Sequence, residues 1–101
     1  MEIRSTLHEP LGTYLKDKRI QSGLTQSEVS TALGYTTPQF VSNFERGLCS
    51  PPLQALAILV SLYKINPEEL IDIILDHEKI MLRETLSKEA KINLKKQRKS
   101  S

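Results

Sequence analysis

Residues 24–47 read LTQSEVSTALGYTTPQFVSNFERG, and the punctuation of this stretch decides the fold. Thr25-Gln26-Ser27-Glu28 has the form of a capping box. The threonine hydroxyl can accept from the backbone N–H three residues on, and the glutamate can accept in return from the threonine's own N–H. Leu24 and Val29 stand at the two positions of a hydrophobic staple across that helix start. Val29, Ala32 and Leu33 supply an inward face, and Gly34 supplies a left-handed stop. A second short helix is expected from Thr37 as N-cap, with Pro38 in its first turn, to about Glu45. Val41 and Phe44, three apart, face inward, and Gly47 ends the helix. Gln39, Ser42 and Asn43 are left facing outward.

Upstream, Pro10 suits a first helical position and Gly23 a helix stop. A helix is therefore expected from about Pro10 to Ser22, with Leu11, Leu15 and Ile20, and Tyr14 beside them, as its inner face. Downstream, Ser50-Pro51-Pro52 opens a fourth helix whose apolar positions Leu53, Leu56, Ala57, Val60 and Tyr63 keep helical spacing. Asn66-Pro67-Glu68-Glu69 opens a fifth, with Ile65 and Leu70 as a second staple. Strand signals and internal repeats are absent. Five helices by about residue 76 give one core. The expected division is an N-terminal arm over 1–9, a domain over 10–76, and a helical extension with a basic tail over 77–101.

Beyond Asp76 the chain is rich in helix formers as far as Lys99, with neither Gly nor Pro. If continuous, residues 67–97 make a rod about 46 Å long at the usual rise per residue. Ile71, Leu75, Leu82 and Leu86 fall along one stripe, interrupted by Glu78, Thr85 and Glu89. That is short of the clean heptads of a coiled coil, yet Ile80, Met81 and Leu82 need cover from something.

The bulk numbers fit one soluble domain with an appendage. The chain has 101 residues, of which 39% are hydrophobic and 26% charged. No apolar run approaches the roughly 18–20 residues that span a bilayer. The opening MEIRSTLHEP lacks the apolar core of a secretion signal, so a cytoplasmic protein is expected. Cys49 is the single cysteine, which excludes an intramolecular disulfide and a Cys-rich metal site. An ordinary small loop residue is its plainer reading, a redox sensor the weaker one. The net charge of +2 does not by itself announce a nucleic-acid partner. Lys95, Lys96, Arg98 and Lys99 crowd the tail and can add nonspecific attraction to phosphates. There is no glycine-rich phosphate loop, no metal-ligand cluster and no nucleophile with a partnered base, so no enzyme, metal or cofactor is expected. His8 and His77 are isolated in sequence and read as surface residues.

Thr25–Leu33 and Thr37–Glu45, two short helices across a glycine turn, have the geometry of a helix-turn-helix. Its second helix can lie in the major groove while the first crosses the backbone. At LGTYLKDKRIQSGLTQSEVSTALG (11–34), VSNFERG (41–47) and PPLQALAILVSLYKINPEEL (51–70) the sequence resembles the Cro/phage-repressor-like (XRE) helix-turn-helix family. The resemblance covers about residues 11–75. It implies an all-α, five-helix lambda-repressor-like DNA-binding domain, here with a C-terminal helical extension. It also implies a phosphate- and sometimes base-contacting role for Gln26, base reading by Gln39, Ser42 and Asn43, and a structural ion pair between Arg19 and Glu45.

Two departures stand out. From Gly34 to Gly47 the chain holds one residue more than the common family spacing, most easily placed at Tyr35-Thr36. Pro38 occupies an early recognition-helix position that is often polar in relatives, where it can touch a thymine methyl at most. Tyr35 reads as a turn-packing aromatic. Thr37 and Arg46 complete the candidate contact set of Gln26, Thr37, Pro38, Gln39, Ser42, Asn43 and Arg46. Arg46, and beyond it Arg4, Lys16 and Lys18, suit phosphates, which position a protein without reading sequence.

The function implied is a sequence-specific transcription regulator, a repressor in its simplest form. It would bind double-stranded DNA as a homodimer on an inverted repeat, in the cytoplasm and on the bacterial nucleoid. The alternative is an antitoxin or other interaction protein that uses residues 77–101 to hold a protein partner such as a toxin; contact with polymerase belongs to an activating variant.

Overall fold

Thr25 closes both arms of its capping box in the computed structural model of the protein, which describes residues 9–100 and side chains as far as Glu89. Its hydroxyl accepts from the Glu28 N–H at 3.1 Å, and the Glu28 carboxylate accepts from the Thr25 N–H at 2.9 Å. The helices are α1 (Glu9–Gln21), α2 (Gln26–Ala32), α3 (Gln39–Glu45), α4 (Leu53–Leu62) and α5 (Pro67–Ser100). No strand occurs among the described residues. The fold is all-α with a helical C-terminal extension, as the sequence leads one to expect. Gly23, Gly34 and Gly47 all take positive φ at the helix ends, the conformation a glycine stop supplies.

One core joins all five helices. Leu11 and Leu15 of α1, Val29 of α2, Val41 of α3, Leu56 and Leu59 of α4, and Leu70 of α5 meet in it, with Tyr63 and Ile65 from the α4–α5 link. Leu24 packs against this cluster from the staple position before α2. Ile65 and Leu70, the second staple, are both buried, and Asn66 Oδ1 accepts from the Glu68 N–H at 2.9 Å to cap α5. Ser30 is buried on the inner side of α2, where its hydroxyl donates to the Thr37 carbonyl and pins the turn before α3.

Several expected positions move. Ile20 is exposed, because at about 100° per residue it lies opposite Leu11 on the helix. Ala32 is also exposed, which leaves Val29 and the half-buried Leu33 as the apolar inner residues of α2. Leu53 and Ala57 do not face the core: Leu53 is 82% exposed. The buried arc of α4 is Ala55, Leu56, Leu59 and Tyr63, centred near Leu59, and Leu53 lies about 120° round from that centre. With Val60, Pro67, Ile71 and Ile74, Leu53 and Ala57 line an apolar groove of 190 Å³ between α4 and α5. Pro38, not Thr37, is the residue flanking α3, with φ −78° already suited to a helix start. Thr37 still contributes, since its hydroxyl accepts from the Gln39 N–H at 3.3 Å.

α5 runs unbroken past residue 76, the expected edge of the domain. Its 34 residues span about 51 Å at the usual rise. Its start is tied to α1 by Tyr14, whose hydroxyl donates to Glu69 Oε1 at 2.5 Å. The Lys18 ammonium lies 3.6 Å from the same oxygen and 5.4 Å from the Tyr14 ring centre. The Tyr14 hydrogen bond, followed by the Lys18 charge, holds the Glu69 carboxyl below its usual range. Burial first and Glu69 second hold the Tyr14 phenol above its own, so the phenol stays a donor.

Gly12 decides how closely α1 approaches α3. A Cβ at this position would lie 2.6 Å from the Phe44 carbonyl oxygen and 2.7 Å from that of Glu45. Both are backbone atoms and cannot swing away. Gly12→Ala is therefore expected to cost about 1–3 kcal/mol. Each kcal/mol lowers the melting temperature by about 4–8 °C in a domain of this size. Thermal denaturation beside the exposed Thr13→Ala control checks it.

The Glu69 tether predicts a pH signature. A carboxyl depressed in the folded state adds stability above its unfolded pKa, and that stability is lost as the pH falls through the folded value. Tyr14→Phe is expected to be less stable than the unaltered chain at pH 7. Urea titrations across the acid range should show the gap closing as Glu69 protonates.

Candidate nucleic-acid interface

The site begins with a buried acid. Glu45 closes α3 with its side chain only 3% exposed, and a carboxylate so placed needs donors. Arg19 of α1 supplies two: Nε donates to Oε2 at 2.6 Å and Nη2 to Oε1 at 3.1 Å. Its third nitrogen, Nη1, donates to the Leu24 carbonyl at 2.9 Å, just ahead of α2. Gln26, the first residue of α2, donates from Nε2 to Glu45 Oε1 at 2.9 Å. The planar guanidinium fork thus joins α1, the entry to α2 and the exit from α3. The hydrogen bond to Glu45 raises the Arg19 pKa against the opposing effect of burial. Tyr63 borders the pair, and burial first, then the Glu45 charge, raises its phenol.

With α3 so held, its outer side is a polar ridge. Gln39, Asn43 and Arg46 recur at helical spacing, and Asn43 Oδ1 accepts from Gln39 Nε2 at 3.0 Å and from Arg46 Nη2 at 2.9 Å. Gln39 and Arg46 are exposed, and Asn43 and Ser42 are half-buried. Thr37 and Pro38 stand exposed at the start of the ridge. Six of the seven candidate contact residues therefore share α3 or its immediate ends. Gln26 sits apart, tethered to Glu45 from α2.

The positions named for phosphate contact are less uniform. Lys16 is exposed on α1, whereas Lys18 is engaged with Glu69. Arg4 and His8 lie outside the described residues, as do the side chains of the Lys95–Lys99 tail. His77 is half-buried on α5, and Cys49 is a half-buried free thiol in the loop after α3. Among the described residues no group of three or more His, Cys, Asp or Glu is placed to hold a metal, and no helix is long and apolar enough to cross a membrane.

The turn between α2 and α3 is closed by packing and a backbone hydrogen bond. Tyr35 folds over α3 with its ring 4.7 Å from Phe40 and 6.4 Å from Phe44, centre to centre. Its N–H donates to the Ser30 carbonyl at 2.9 Å. Two participants escape the sequence reading. Ser30 is a hydroxyl on an otherwise apolar inner face, which was the available signal. Phe40 is 52% exposed on α3, an apolar ring beside the polar outer residues Gln39 and Asn43.

Breaking the buried pair from one side leaves a charge without its partner. Arg19→Ala is expected to cost about 3–5 kcal/mol. Arg19→Lys is expected to recover only part of that, because an ammonium cannot reproduce the fork. Chemical denaturation of both variants, with circular dichroism to follow the helices, checks the order.

A profile of the helix-turn-helix domain family matches residues 10–72, which spans α1 through α4 and the first turns of α5. No curated protein and no solved structure matches the chain. The matched length is well over half of the 101 residues, and the capped helix pair with its polar ridge lies within it. The chain belongs to the helix-turn-helix domain family and is a DNA-binding regulator of that general kind.

Proposed function

We propose that the protein is a sequence-specific transcriptional repressor that binds an inverted-repeat operator as a homodimer, with α3 in the major groove. The observation that carries this is the Gln39–Asn43–Arg46 ridge on a short helix locked at its far end by Glu45. Gln39 and Asn43 suit paired hydrogen bonds to adenine N6 and N7, and Ser42 suits several bases. Arg46 and Thr37 meet phosphates at the two ends of α3, and Gln26, oriented by Glu45, meets the backbone from α2. Pro38 lies against a base edge without a hydrogen bond. Occupancy of an operator that overlaps a promoter blocks polymerase, and the protein works in the cytoplasm on the nucleoid.

The second copy is assigned to α5. Ile71, Leu75, Leu82 and Leu86 are 43–64% exposed along one side of it, an apolar stripe of the kind that suits an interaction surface. In this division residues 10–76 read DNA and residues 77–101 extend the pairing helix. The same stripe also suits a protein partner, as in an antitoxin. Sedimentation of the purified chain separates the two, since a stable dimer without any co-purified protein supports self-pairing.

Selection from a random DNA pool is expected to return an inverted repeat with half-sites about one helical turn apart, or a multiple. On that sequence Asn43→Ala should cost about 1–3 kcal/mol and relax one position, with nonspecific binding unchanged. Arg46→Ala should weaken binding to all sequences and reduce the salt slope by about one. Anisotropy titrations at several salt concentrations measure both. Weak binding that is equal for every sequence overturns the proposal.

A further inference from the structure

Four of the chain's five aromatic side chains are largely covered: Phe44 and Tyr63 are buried, and Tyr14 and Tyr35 are half-buried. Phe40 is not. It is 52% exposed as the second residue of α3, directly after Gln39 and three before Asn43. At about 100° from Gln39 around the helix it borders the polar ridge instead of supporting it from beneath. Its covered side rests on Tyr35 at 4.7 Å, and Tyr35 in turn lies 6.4 Å from the buried Phe44. Two aromatic layers thus brace the phenyl ring outward. Exposed Pro38 stands two residues before it, so the polar face of α3 has an apolar edge at its N-terminal end.

A phenyl ring held in water forfeits the gain of burial, and a partner surface restores it. When a recognition helix docks, its N-terminal residues are the ones that reach base edges. The apolar group displayed on the major-groove edge of a base pair is the thymine C5-methyl. We propose that Phe40 is a specificity-determining residue whose exposed face packs on the C5-methyl of one thymine in each half-site, beside the bases met by Gln39 and Asn43. Tyr35, in the turn before α3, is the positioning residue that holds the ring there. This rests on the docking of α3 proposed above and adds to it the chemistry of one base.

The test needs the full chain and the sequence it selects from a random pool. Each thymine of the half-site is replaced in turn by uracil, which pairs identically and lacks only the methyl. One position is expected to weaken binding about fourfold per half-site, the change that loss of one buried methylene-sized group corresponds to. At that position Phe40→Ala should bind the thymine and uracil sites equally, while Phe40→Leu should keep a reduced preference for thymine. Thermal melting reports whether each variant folds. If Phe40→Ala does not, the uracil scan and Phe40→Leu still decide. Indifference to uracil at every position overturns this inference and leaves the repressor reading standing. So does a thymine preference that persists in Phe40→Ala. Equal weakening of thymine and uracil sites by Phe40→Ala makes the ring a mere brace for the turn, and also overturns it. Selection of no preferred sequence overturns both.

Discussion

A buried carboxylate that must find its donors is the constraint on which the rest of this structure depends. Glu45 takes three hydrogen bonds from two side chains, and those side chains belong to α1 and α2. Apolar burial supplies most of the stabilisation, but it has no preferred direction. A guanidinium fork does. Arg19 can satisfy Glu45 and the Leu24 carbonyl together only when α1, the start of α2 and the end of α3 stand in one relation. Gly12 allows that relation by letting the α1 backbone close on the carbonyls of Phe44 and Glu45. The polar anchor and the glycine contact converge on the same end of α3, so the opposite end is presented in a fixed orientation.

Local signals in the sequence were legible where local chemistry decides the outcome. The Thr25–Glu28 box, the three positive-φ glycine stops and the two staples each follow from residues within two turns of each other. The errors fall at helix ends and flanks. Ile20 and Leu53 are large and apolar, yet a rotation of about 120–180° from the buried arc puts them in water, and hydrophobicity alone does not report rotation. Gly12 carried no signal, because its importance comes from a carbonyl more than thirty residues away. Arg19 and Glu45 were paired through family resemblance; nothing in their separation of 26 residues indicates contact. Ser30 and Phe40 broke the pattern of the faces they occupy, and those breaks mark where the turn is pinned and where the outer face turns apolar.

The turn between α2 and α3 shows how a short connection is held. A connection between two helices leaves backbone polar groups that need partners. Here the Tyr35 N–H finds the Ser30 carbonyl, and the Ser30 hydroxyl finds the Thr37 carbonyl. The Tyr35 ring then covers the gap against Phe40 and Phe44. The turn is a packed element of the fold.

Within the ridge on α3, Asn43 shares one oxygen between Gln39 and Arg46 before any partner arrives. Discrimination by hydrogen bonding draws much of its force from the cost of stranding a buried donor or acceptor against a mismatched group. Side chains that can fall back on one another are never fully stranded. In the proposed docking, a wrong base opposite this ridge would forfeit an exchange of bonds without imposing the whole desolvation penalty. Docked on bases as proposed, such a surface would be forgiving by construction, ranking related sites by degree and tolerating variation at the positions met by Gln39 and Asn43.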